Sequence, residues 1–119
     1  MTTETAVATK LWPAEAEMLS EDDWNRLSAL ASQDHVVTSQ DLLEPLGESK
    51  DGLLVTLMIL YWTLKLTQTV IQISKEVSGF SGKSKVEAII EAVNKRMNPD
   101  TPQMVRDRLT DIINELHES

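Results

Sequence analysis

A chain of 119 residues fits one domain with a single core and little length to spare. It has no cysteine, which excludes disulfides and thiolate metal sites and leaves the compartment undetermined by redox logic. The net charge of −8 is unevenly placed: residues 1–52 hold eleven acidic and three basic side chains, whereas residues 53–119 hold eight of each. Such an upstream half repels phosphate backbones, so it argues against direct nucleic-acid binding and favours a partner with a basic surface.

The first residues, MTTETAVATKLWP, lack a basic stretch followed by an apolar run, so no secretory signal is expected and an intracellular, cytoplasmic protein is the default expectation. Residues 1–18 are small, polar and weakly patterned, and the expectation is a mobile tail. Trp12 interrupts it, either as an anchor onto this domain or as an apolar contact for a partner. Pro13 is acceptable as the first residue of a helix running through Met18 and Leu19.

Ser20-Glu21-Asp22-Asp23 has the form of a capping box, with Asp in place of the usual Glu. Trp24, Leu27, Leu30 and Ala31 follow at helical spacing and predict a buried face. Ser32 to His35 reads as a turn, Val36-Val37 as a short extended piece, and Thr38 or Ser39 as the cap of a short helix to Leu46. Helix, turn and short helix superficially suggest a helix-turn-helix reader of DNA. The second helix carries Asp41 and Glu44 and neither Lys nor Arg, which argues against that role.

Gly47 to Gly52 is a break, and Ser49 is placed to cap what comes next. The run from Gly52 to Val77 is almost wholly apolar through Leu64, then thins to Leu66, Val70, Ile73 and Val77. That spacing predicts one central helix over about 50–78, surrounded on all sides in its first half. As a membrane span it reads poorly, because Tyr61 and Trp62 fall mid-span and Lys65 and Gln68 would lie inside. A helix this long is expected to protrude and to be covered by a second copy. The interface of that homo-oligomer is predicted at Leu57, Leu60, Tyr61, Leu64, Val70 and Ile73.

Gly79 reads as a C′ glycine and Phe80 as a side chain folding back on the core. Ser84 to Glu87 is a second capping box, opening a helix that buries Val86, Ile89, Ile90, Val93 and Met97. Thr101 and Pro102 start a last helix, Pro102–His117, with an apolar stripe of Val105, Leu109, Ile112, Ile113 and Leu116. The two helices predict an antiparallel hairpin over about 84–118.

Chemical motifs are sparse. Gly82-Lys83-Ser84 resembles the end of a phosphate-binding loop, but position 77 is Val and a helix, not a strand, is expected before it. His35 and His117 have no second histidine at i+4, and the line Asp107, Asp111, Glu115 reads as a solvated stripe. Neither histidine has an apolar setting and no nucleophile elbow exists. The sequence thus predicts an all-α bundle around one long helix, a tail over 1–18 and a single domain over 19–119, with no enzyme activity, cofactor or metal. The function expected is a non-enzymatic interaction or assembly protein. It would self-associate through the central helix and meet a partner through Trp12, Glu15, Glu17, Glu21, Asp22 and Asp23. Two alternatives are an acidic inhibitor imitating nucleic acid and a small membrane-inserted protein with a cytoplasmic hairpin.

Overall fold

The computed structural model of the chain describes residues 3–33, 51–77 and 82–118. Among the described residues there are helices and no strands: α1 (Thr3–Leu11), α2 (Pro13–Ala16), α3 (Glu21–Ala31), α4 (Asp51–Glu76), α5 (Gly82–Arg96), α6 (Gln103–Arg106) and α7 (Leu109–Glu118). The class is all-α, with the other helices packed around α4.

The apolar pattern of α4 maps directly onto its burial. Thr56, Leu57, Ile59 to Leu64, Leu66 and Thr67 are buried, so this stretch is enclosed on every side. Beyond it the buried positions thin to Val70 and Ile73, one face only. Two of its buried threonines are satisfied on their own helix: Thr63 Oγ1 donates to the Ile59 carbonyl at 2.8 Å, and Thr67 Oγ1 to the Thr63 carbonyl at 2.7 Å. This back-bonding lets a polar stripe lie inside the core without orphaned hydroxyls.

The other helices follow α4 along its length. Met18 Sδ meets Thr56 Oγ1 at 3.6 Å, and the Lys65 ammonium donates to the Gln33 carbonyl at the end of α3. Helix α3 therefore runs alongside the first half of α4, in the same direction. Arg108 reaches Trp12, which is bonded to Thr63, whereas Leu116 borders Ile71, Ser74 and Lys75. Helix α7 thus also runs with α4, and Arg96 at the end of α5 faces the middle of α4 beside Thr69. Helix α5 returns antiparallel, which gives the hairpin its expected sense.

Two expectations are corrected by this packing. First, residues 3–16 are not a free tail. They form α1 and α2, and Thr5, Val7, Ala8 and Leu11 lie on the core. Thr5, Ala8 and Leu11 recur at intervals of three, and small side chains allow close approach of helices. Second, the predicted oligomer interface lies inside one chain. Leu57, Leu60, Tyr61 and Val70 are 0% exposed, and Leu64 and Ile73 are 1% exposed. The residues that were expected to need a second copy are covered by α1, α3 and the C-terminal helices. Helix α4, of 26 residues, spans about 40 Å of a molecule 46 Å in its longest dimension.

Local boundaries differ in two places. The helix expected from Ser84 begins at Gly82, which puts Ser84 inside the first turn and not at its cap. The helix expected from Pro102 to His117 is two, with a break at Asp107-Arg108. Pro102, not Thr101, is the N-cap of α6, with no side-chain cap bond. Arg106 turns back to donate Nε to the Thr101 carbonyl at 2.9 Å and Nη2 to the Pro99 carbonyl at 2.8 Å. Arg108 N then bonds the Val105 carbonyl, an i−3 contact that tightens the chain before α7. Both Val105 and Leu109 reach the core as a result. The expected turn at 34–35, the extended pair 36–37, the short helix to 46, the Ser49 cap and the features at Gly79 and Phe80 lie outside the described residues.

Candidate functional site

The sequence assigns partner contact to six residues, and the structure divides them. Trp12 faces inward. Its Nε1 donates to Thr63 Oγ1 at 2.9 Å, and the Arg108 guanidinium lies 5.3 Å from the indole ring centroid. Arg108 also donates Nη2 to the Leu11 carbonyl at 3.1 Å. The indole therefore ties α1 to α4 and α7, which is the anchor alternative, and leaves Trp12 poorly suited to hold a partner. Its Nε1 would first have to give up Thr63.

Asp23 is half-buried and also has a structural task. Its backbone N–H donates to Ser20 Oγ at 3.2 Å, while Ser20 N–H donates to Asp23 Oδ2 at 3.1 Å. The capping box predicted from the sequence is thus formed, with Asp reaching back as Glu usually does. Glu21 and Asp22 complete the first turn of α3, where the helix dipole favours negative charge.

Glu15, Glu17, Glu21 and Asp22 remain as a surface group on α2, the link after it and the start of α3. Glu17, Glu21 and Asp22 are exposed and Glu15 is half-buried. Among the described residues none of the four enters an ion pair. The nearest upstream cation by sequence, Lys10, is used elsewhere, 3.0 Å from Glu115. Within the same stretch Met18 is 55% exposed, and Val55, one residue from the Thr56 that contacts it, is 58% exposed. Met18 therefore stands exposed among the carboxylates, a feature that sequence periodicity did not single out. The signal was present in Met18, which lies between the charged positions.

The C-terminal carboxylates behave differently. Asp107 accepts from Gln103 Nε2 at 2.8 Å, Asp111 faces Arg108 Nε at 3.3 Å, and Glu115 pairs with Lys10. Asp107 lies in the break between α6 and α7, so the three do not share one helix face. No group of three or more His, Asp or Glu that could hold a metal occurs among the described residues. Among them, too, no helix is long and apolar enough to cross a membrane.

One further recess is built from the middle of α4 and the turn after α5. It is a cleft of about 140 Å³ bordered by Trp62, Lys65, Leu66, Thr69, Arg96, Met97, Asn98 and Thr101. No family model, curated protein or solved structure matches this chain.

Proposed function

We propose that the chain is a non-enzymatic protein-interaction module that meets a basic partner surface through Glu15, Glu17, Glu21 and Asp22. The observation that carries this reading is the grouping itself: four carboxylates within eight positions, none in an ion pair among the described residues. Met18, exposed among them, supplies apolar area, so contact need not rest on charge alone. Complementary charge of this kind speeds encounter and selects among partners more than it adds affinity. Trp12 and Asp23, engaged within the molecule, are left out of the proposed contact.

The test is affinity capture with the full chain against a triple charge reversal, Glu17→Lys, Glu21→Lys and Asp22→Lys. Ser20 and Asp23 stay in place so that α3 keeps its cap. Capture by the native chain is expected to fall between about 0.1 and 1 M salt, as the screening length shrinks from ~10 to ~3 Å. The reversed chain, with unchanged helical circular dichroism, is expected to lose the partner at all salt concentrations. Equal capture by both chains would remove this face from the account.

A further inference from the structure

The cleft between α4 and the turn after α5 is lined by hydrogen-bond donors in a way that the acidic face is not. Trp62 and Thr101 are 5% and 7% exposed, and both border it. Neither the Trp62 indole N–H nor the Thr101 hydroxyl has a hydrogen-bond partner among the described residues. Both side chains line the cleft, so an acceptor seated in it is placed to answer the indole N–H and the hydroxyl. A buried donor without a protein acceptor is costly unless water or a ligand accepts from it.

The remaining polar groups point the same way. Asn98 Oδ1 already accepts from the Asp100 N–H at 2.8 Å, which leaves the Asn98 amide NH₂ as the group on offer. The carbonyls of Pro99 and Thr101 are taken by Arg106, and the Thr69 hydroxyl proton goes to the Lys65 carbonyl. Two cations complete the border. Lys65 reaches the Gln33 carbonyl, and Arg96 pairs with Glu76 at 2.7 Å. Glu76 is thus the carboxylate against which any incoming anion must compete for Arg96.

Size narrows the occupant. About 140 Å³ is the share of roughly five water molecules. It lies below the ~300 Å³ at which pockets for drug-sized ligands begin. We propose that this cleft binds a single oxyanion group, a phosphate or a carboxylate. Trp62 Nε1, Thr101 Oγ1 and the Asn98 amide donate to it, and Lys65 and Arg96 supply the opposing charge. The group is free in solution or carried on a larger molecule whose remainder stays outside. This inference does not depend on the acidic face.

The experiment follows the indole N–H signals of the three tryptophans by ¹H–¹⁵N correlation spectroscopy of the native chain. Sodium phosphate and sodium acetate are titrated separately, with sodium chloride at matched ionic strength as the reference. The Trp62 signal is expected to move saturably, with a dissociation constant on the order of 1 mM, while those of Trp12 and Trp24 stay. The stronger of the two anions identifies whether phosphate or carboxylate is the favoured source. Arg96→Gln and Thr101→Val, each checked for unchanged helicity, are each expected to weaken the response by about tenfold, the loss of one charge-assisted bond. A Trp62 signal that moves no further than in chloride overturns the proposal. So does a saturable shift that neither variant alters.

Discussion

Leu57 and Val55 stand two residues apart on α4 and live in opposite environments. Leu57 is 0% exposed and Val55 is 58% exposed. Truncating the first leaves a cavity that its neighbours cannot collapse around, whereas truncating the second removes surface that water already reaches. Leu57→Ala is expected to destabilise the chain by about 2–5 kcal/mol, and Val55→Ala by no more than about 0.5 kcal/mol. Urea unfolding of the two variants checks this, with the midpoint falling for the first alone and the slope unchanged. Leu57→Asp is expected to leave an insoluble or unfolded chain, because a carboxylate at that position would have no partner. The same contrast explains which parts of the candidate face were legible at this scale. Glu17, Glu21 and Asp22 are on the surface because an unpaired carboxylate is costly to take out of water. The inward turn of Trp12 depends on Thr63 and Arg108, 51 and 96 positions away in sequence, and no local pattern carries that information.

At the scale of elements, local signals were read well where the chemistry was local. The Ser20–Asp23 box formed with both reciprocal bonds. Ser20→Ala is expected to cost about 1 kcal/mol, seen as a lower thermal or urea midpoint with the fold retained. Helix α4 was legible from its run of apolar residues, and the paired stripes of α5 and α7 from their spacing. Helix α1 was not, because its seam is Thr5, Ala8 and Leu11 with Val7 alongside, too polar and small to stand out as apolar periodicity. The break between α6 and α7 was hidden for another reason. It is held by Arg106 reaching back to backbone carbonyls, and an arginine in an otherwise helical pattern gives no sign of that. The oxyanion cleft was equally invisible, since it joins Trp62 to Thr101 across the fold.

At the scale of the molecule, the long apolar helix had invited a second copy of the chain, and the chain supplies its own cover instead. Helix α1 is part of that cover, resting on both α4 and α7 through Val7, Ala8, Leu11 and Trp12. Deleting residues 1–12 is expected to uncover that side of α4. The shortened chain should bind the dye ANS and elute from gel filtration as larger species at micromolar concentration, while the intact chain does neither. A shortened chain as well behaved as the intact one would show that α1 contributes little to enclosure.

The placement of α1 also sets an order of events in time. A ribosome makes α1 well before the residues it docks on: Thr63 lies 51 positions beyond Trp12, and Arg108 lies 97 beyond Leu11. At ordinary synthesis rates that interval is roughly 5–20 s. Throughout it, Val7, Ala8 and Leu11 have no α7 to rest on. Among the described helices, the earliest made is thus among the last to find its place, and the enclosure of the core closes only when α1 meets α7.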